Sequence, residues 1–370
     1  MESYSSDKVI RSVYIPRKDL KSGKWFYLRA PKMFMEKIYP KLTHKLGDFA
    51  EIKRGFTTGA NDFFYMKDIS HLYEADYLAN PKKFQEWGVT AKNEKELKEQ
   101  GLVYIENEGG ERFVIDKRDI IKIVRRSQEV KNYRINDLKS YVFYPSIDKG
   151  PGTYSMKYIK EAGGREYTIQ KGRKKGQKVP SIQYLGSVSN NGPNWYNLRR
   201  LGPSQLISNE ITRDRHFTAY SKEPILCSDL FVLIYSKTVP LTNIFLLMNS
   251  TMVYLTKEFI GRRLGGGGAP LKLQVEDYKN IPVPDLSTLD LSGINISLDR
   301  KVNRYFEEIK IEDRRKLDAE ILKLLSIEDV NLEQFYIEFK EYIEDRLMKA
   351  DNLSRSKELY ERENEEEDEE

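Results

Sequence analysis

The spacing of apolar and polar positions changes twice along the chain. Residues 1–45 have no clear period; Pro16, Pro31 and Pro40 interrupt them, and an aromatic cluster, WFYL, falls at 25–28. This predicts a connecting or docking segment that packs on something else. From Leu46 the chain becomes short apolar runs punctuated by Gly, Pro and Asn: FAEIKRGF, GLVYIENEG, RFVIDKRDIIKIV, YVFYP, PSIQYLGSV and PILCSDLFVLIYS. Runs of β-branched and aromatic residues between turn signals predict strands. A lysine-rich stretch at 80–100 reads as a partly helical insertion, and TNIFLLMNSTMVYLTKEFIG at 242–261 reads as one helix closed by a glycine stop.

After IPVPD at 281–285 the period becomes helical. Val302, Tyr305, Phe306 and Ile309 fall on one helical stripe, as do Leu317, Ile321, Leu324 and Leu325, and then Phe335, Phe339, Ile343 and Leu347. Two or three amphipathic helices are therefore expected over about 299–349, each needing a surface to cover it. Ser326, with Asp329 three residues on, predicts the cap of the last helix. The closing ENEEEDEE is too acidic to fold and predicts a disordered tail. The fold class expected is α+β: a connecting segment over 1–45, a β-rich domain with helical insertions over 46–285, an amphipathic helical docking region over 286–350 and an acidic tail over 351–370.

Composition narrows the setting. With 39% apolar and 12% aromatic residues in 370, most of the chain is expected to fold. The single cysteine, Cys227, excludes an internal disulfide; it lies in an apolar run and reads as a small buried hydrophobe. The longest apolar run, LFVLIY at 230–235, is too short to span a bilayer, so a soluble, cytoplasmic protein with no membrane partner is expected. Net charge is only +5, but residues 299–370 carry 14 Lys/Arg against 24 Asp/Glu, and residues 1–298 carry 48 against 33. A body of +15 and a tail of −10 favour a polyanion-binding body with a differently tasked C-terminal part.

Catalytic signals are sparse. His44, His71 and His216 stand apart from one another and from cysteine, without metal-ligand spacing. The GGGG at 265–268 lacks the Lys and Ser/Thr of a phosphate-binding loop, and fits a flexible loop or a close backbone approach. Asp285, with Asp299 and Lys301 downstream, could imitate the two acids and a lysine that hold a divalent metal in a nuclease. What recurs instead is cations among aromatics, Asn and Thr near turns. EIKRGFTTGANDFFY places Lys53, Arg54, Thr57, Thr58 and Asn61 together. Further clusters supply Arg125 and Arg126; Lys174 and Lys175; Arg199 and Arg200; Arg213 and Arg215; and Arg262 and Arg263, followed by Gly265 and Gly266. Lys and Arg suit phosphates and guanine edges, and Asn suits adenine, so several such clusters in a β-rich domain favour a duplex-DNA surface.

Several of these strings resemble the target-recognition region of TaqI-like N6-adenine DNA methyltransferases, and more loosely the specificity subunits of type I restriction-modification systems. The resemblance runs through KWFYLRAP (24–31), LGDFAEIKRGFTTGANDFFYM (46–66), NWYNLRRLGP (194–203), TRDRHFTAY (212–220) and MNSTMVYLTKEFIGRRLGGGGAPLKLQVEDYKNIPVPD (248–285). DRRKLDAEILKLLSI (313–327) and DRLMKA (345–350) resemble that family's C-terminal helices. The family implies a β-rich domain that reads duplex DNA, while a separate domain binds S-adenosylmethionine and methylates a flipped adenine. Its catalytic tetrapeptide, Asn or Asp followed by two prolines and an aromatic, is absent here. The resemblance therefore implies a specificity subunit with no cofactor of its own, working with an adenine methyltransferase subunit and perhaps a second copy of itself. On this reading Lys53, Arg54, Thr57, Thr58, Asn61, Arg262 and Arg263 read bases, and Arg125, Arg126, Arg199, Arg200, Arg213 and Arg215 contact phosphates. The alternatives are a magnesium-dependent type II restriction endonuclease built on the same recognition domain, or a regulator or antirestriction decoy without a methyltransferase partner.

Overall fold

The computed structural model describes residues 30–169, 174–185, 188, 192–198, 201–264, 270–291, 293–294 and 298–348. Its centre is a large mixed sheet. The principal strands are β1 (Ala50–Arg54), β2 (Tyr65–Asp68), β3 (Leu102–Asn107), β4 (Arg112–Asp116), β5 (Ile120–Val124), β6 (Ser140–Phe143), β7 (Ser204–Asn209), β8 (Thr218–Cys227) and β9 (Phe231–Ser236). They lie in the order β1-β9-β7-β8-β5-β6-β2-β3-β4, with Arg134–Ile135 paired beside β8. Neighbours are antiparallel except where β8 meets β5 and Arg134–Ile135 in parallel.

Strand β8 is the joint between the two halves of the sheet. Its first residues pair with β7, its exposed middle at Lys222 to Pro224 leaves the ladder, and Leu226 and Cys227 pair with Ile123 and Val124 of β5. The bend is eased by a register shift between Ser204 and Leu206. Cys227 is fully buried, and burial pushes its thiol up, as a small core hydrophobe requires.

Five longer helices cover the sheet: α1 (Thr153–Gly163), α2 (Leu241–Met248), α3 (Thr251–Ile260), α4 (Glu312–Leu324) and α5 (332–348). The lysine-rich insertion at 80–100 forms the short helices Pro81–Glu86 and Glu94–Glu99, which share with the preceding helix Tyr73–Ala79 a cluster around Tyr73, Phe84 and Leu97. Helix α1 brings Tyr158 into a stack with Phe63, ring centroids 4.6 Å apart, and Trp195 closes the cluster at 4.9 Å from Phe63. Gly163 is needed there, because a Cβ would come within 2.5 Å of the Trp195 ring.

Where one helix is expected over 242–261 there are two. Asn249 breaks the run: its side chain accepts from the Thr218 backbone N–H at 3.0 Å and donates to the Thr218 carbonyl at 2.8 Å, fastening the break to β8. Ser250 then caps α3, accepting from Val253 N. Gly261 does end α3, in an extended conformation.

The C-terminal pattern also needs correction. The stripe from Val302 to Ile309 yields only one turn, Tyr305–Glu308, because Val302 is extended and its N–H donates to the Lys131 carbonyl. Ser326 does not cap the last helix. It sits just past the end of α4 at φ 53°, and the cap of α5 is Asn331, whose side chain accepts from Gln334 N at 3.2 Å.

Helices α4 and α5 turn buried charges toward the chain's own core. Arg346 grips Glu258 of α3 with two bonds of 2.8 and 3.0 Å. Arg314 donates to Tyr133 Oη and Glu308, and Asp318 accepts from Thr251 N and Tyr336 Oη. Residues 30–42 pack on the same core through Ala30, Phe34, Ile38 and Leu42. His44–Lys45 pairs with Pro282–Val283, so the two ends of the intervening segment meet. No helix among the described residues is long and apolar enough to cross a membrane.

Candidate nucleic-acid interface

The GFTTGANDFFY string divides by burial. Phe63 and Phe64 are core residues, while Thr57, Gly59 and Asn61 are exposed on the loop that leads to them. Thr58 is buried; its hydroxyl donates to Asn61 Oδ1 at 2.6 Å and accepts from Ala60 N, which fixes the loop's shape.

Gly55 sets where that loop starts. It passes against the turn between β8 and β9 so closely that a Cβ would lie 2.1 Å from the Ser228 carbonyl oxygen and 2.4 Å from that of Cys227. Only glycine fits this approach. The turn is tied on every side: Gly55 N donates to Phe231 O, Phe56 N to Cys227 O, Ser228 N to Val124 O, and Ser228 Oγ to Arg125 O. Three segments far apart in sequence thus meet at the sheet joint and carry Arg54, Arg125 and Asp229 with them.

Two groups of charges are anchored at this turn. Arg126 and Arg125 share Glu108, at 3.8 and 2.6 Å, and Arg125 stacks over the Tyr65 ring at 3.9 Å. Across the turn, Arg54 donates to the Asp229 carbonyl at 3.2 Å and to Glu210 Oε2 at 3.1 Å. Glu210 is 1% exposed, and its other oxygen lies 3.8 Å from Lys272 Nζ. Burial raises the Glu210 carboxyl above its usual range, while Arg54 and Lys272 pull it down. Lys272 in turn pairs across strands with Arg262 and Ile211 in a small ladder that also holds Arg263 and Thr212. Arg262 lies 3.8 Å from Asp277. Carboxylates hydrogen-bond Arg125 and Arg54, while Arg126, Lys272 and Arg262 lie within ion-pair distance of theirs.

The other expected contacts scatter. Lys53 neighbours Arg54 in β1, but successive strand residues face opposite ways. It lies 3.1 Å from Glu51 and over the Tyr235 ring. Lys174 and Lys175 are exposed at the end of the hairpin in which Tyr167–Thr168 pairs with Lys178–Val179. Arg213 is exposed, and its carbonyl accepts from Arg346. Arg215 is a strut: its guanidinium donates to the carbonyls of Val302, Ser127 and Val130, so those donors are engaged within the chain. Arg199, Arg200, Gly265 and Gly266 lie outside the described residues.

Asp285 is engaged locally. Its Oδ1 accepts from both the N–H and the hydroxyl of Ser287, which holds the carboxyl below its ordinary range. Among the described residues no group of three or more His, Cys, Asp and Glu has metal-holding geometry. His216 is buried against Glu258 of the core at 3.3 Å.

Glu210, Asp229, Glu108, Tyr65 and Lys272 are the members of these groups that motif reading misses. Their single signal in the sequence is weak, since each is one charge or ring in a chain that is 32% charged.

No family model matches the sequence, and a search of curated proteins returns no match. Among solved structures, the chain resembles the type IIG restriction endonuclease BpuSI, with a TM-score of 0.51 at 13% identity. The alignment covers 86% of this chain and 32% of that one, so this chain spans about a third of the enzyme's length. At that identity the likeness establishes a shared fold.

Proposed function

We propose that this chain is a target-recognition module for double-stranded DNA in a restriction-modification system, directing a separate N6-adenine methyltransferase subunit that carries S-adenosylmethionine. The observation that carries the reading is the gathering of Arg126, Arg125 and Arg54 at the joint of the sheet, continued through Glu210 to Lys272 and Arg262 of the small ladder. Cations gathered in this way suit a phosphate backbone and guanine edges. The exposed Thr57 and Asn61 beside them add donors and acceptors for base edges. The fold shared with part of a restriction endonuclease supports the same setting.

Helices α4 and α5 spend their buried charges inside this chain, so a methyltransferase subunit, or a second copy, would dock on their outer side, where Leu324, Ile337 and Met348 are exposed. A nuclease acting through Asp285, Asp299 and Lys301 has less support, because Asp285 is held in a turn with Ser287.

The test is to purify the chain with any subunit that accompanies it from its native source, then assay duplex binding and adenine methylation by the complex and by the chain alone. Sequence-selective binding by the chain, with methylation by the complex only, is the expected result. Methylation or magnesium-dependent cleavage by the chain alone, or no duplex binding at all, overturns the proposal.

A further inference from the structure

Helix α5 ends beside cations. Arg346, shortly before Met348, donates to the Arg213 carbonyl, so the end of the helix lies against Arg213. Thr212, next in the chain, pairs with Leu271, and Leu271 pairs with Arg263, which places Arg263 two strand spacings, about 10 Å, from Thr212. Arg262 precedes it in the same strand. Arg304 joins them: it lies 3.5 Å from Asp214, whose carbonyl accepts from Tyr305 N. Arg213 is exposed, and the side chains of Arg262 and Arg304 are 56% and 70% exposed. A guanidinium has more donors than one carboxylate engages, so Arg262 and Arg304 keep N–H groups for a further anion beside Asp277 and Asp214.

The sequence that follows α5 carries the opposite charge. Residues 349–370 lie outside the described residues. Their last eight positions, ENEEEDEE at 363–370, hold seven carboxylates and no cation. Glu363 follows Met348 by 15 residues, enough chain to cover about 20 Å along a winding path. The acidic run therefore reaches the cations at which α5 ends, and its attachment keeps it there at an effective concentration on the order of 1 mM.

We propose that residues 363–370 dock on the cations around Arg213, Arg262 and Arg304 and act as an internal competitor for duplex DNA. The competition rests on the DNA-recognition reading above, while the docking stands on charge and chain geometry. Arg262 belongs to both surfaces, so the two anions exclude each other there. A segment with an intrinsic affinity of about 0.1 mM, the weak end of non-specific phosphate binding, held at about 1 mM, lowers the apparent affinity for DNA about tenfold. DNA then displaces carboxylates as well as salt ions, so the full chain depends less steeply on salt than a chain without the run.

Two measurements test this. Duplex binding is compared for the full chain, for a chain ending at Ala350, and for a full-length variant with Glu365→Gln, Glu366→Gln, Glu367→Gln, Asp368→Asn and Glu369→Gln, which keeps the length and removes charge. Both changes are expected to tighten binding to every duplex about tenfold near 50 mM salt and about twofold at most near 300 mM, where screening is stronger. Without DNA, a glutamate-specific protease is applied to the full chain and to a free peptide of residues 349–370. Cleavage within 363–370 is expected to be several-fold slower in the chain at low salt, and this protection should vanish at high salt and in the triple variant Arg213→Gln, Arg262→Gln, Arg304→Gln. The wild-type series does not depend on how the variant folds. Equal cleavage of chain and peptide at low salt, or full protection in the triple variant, overturns the docking. Protection with unchanged duplex binding on truncation overturns the competition while DNA recognition stands. If no form binds duplex, the DNA-recognition reading fails and the competition with it, and the cleavage series alone decides the docking.

Discussion

Arg54 and Glu210, 156 residues apart in sequence, meet at 3.1 Å at the sheet joint, with the carboxylate 1% exposed and the guanidinium half in solvent. The pair ties β1 to the end of β7 and, through the Asp229 carbonyl, to the β8–β9 turn. Arg54→Ala should leave Glu210 buried with only Lys272 to offset its charge, at a cost of about 1–2 kcal/mol, discounted for the exposed arginine. The folded Glu210 carboxyl is already raised, so its favourable contribution is complete below the unfolded value and fades as pH rises through the folded one. Arg54→Ala raises it further, and the loss should therefore be larger at pH 8 than at pH 4.5. Denaturant titrations at the two pH values check this.

Lys257 provides a second, opposite pH dependence. It is fully buried in α3, its Nζ bonds only to Ser208 Oγ among the described residues, and burial lowers it to about 7. A lysine depressed in the folded state stabilises most above its unfolded pKa and loses that contribution as pH falls through about 7. Lys257→Met keeps the apolar stem and removes the buried charge. It should stabilise the fold on the order of 1 kcal/mol at pH 7 and flatten the rise in stability between pH 7 and 10, which melting curves across that range would show.

Arg346 fastens α5 to α3 through its two bonds to Glu258, both side chains being buried. Arg346→Met should cost about 3–5 kcal/mol because it strands a buried carboxylate, and adding Glu258→Gln should recover part of the loss. Limited proteolysis is expected to cleave the single variant first in the 332–348 helix; equal protection of both variants would contradict this.

Gly55→Ala tests the threading of the loop. Its Cβ would meet two backbone carbonyls, which cannot move aside as a side chain could. A loss of about 2–4 kcal/mol is expected, together with duplex binding weakened more than in Thr57→Ala, whose side chain is exposed.

Arg126, with most of its side chain in solvent, is the cation at the sheet joint best placed for a phosphate. Arg126→Ala should weaken binding to all duplexes alike and lower the slope of log affinity against log salt by about one. A loss confined to one sequence would instead mean that Arg126 reads a base.

Most strands were legible because β-branched or aromatic runs end in turn residues, as β9 and β4 do; PSIQYLGSV reads the same way but forms only a 3-10 turn at Ile182–Tyr184, and β7, polar at both ends, was missed. The break at Asn249 was not legible, since it depends on Thr218 being opposite, 31 residues away. Asn331 rather than Ser326 caps α5 for a similar reason: two polar residues within one loop compete, and packing chooses between them. The cation clusters could be seen in the sequence, but which of them would gather could not. Arg215 and Arg213 are two residues apart, yet one braces carbonyls and the other is exposed.

The pairing of His44 with Val283 and of Lys45 with Pro282 makes the segment between them a closed circuit, leaving and rejoining the rest of the chain about one strand spacing apart. Arg54, Arg125, Arg126, Arg262 and Lys272, with the Gly55 crossing, all lie within that circuit. The circuit is also tied to the flanking chain from outside, through Arg346 to Glu258, Arg314 to Tyr133, Asp318 to Thr251 and Arg215 to Val302. Any exchange of the circuit would therefore have to carry those buried anchors with it.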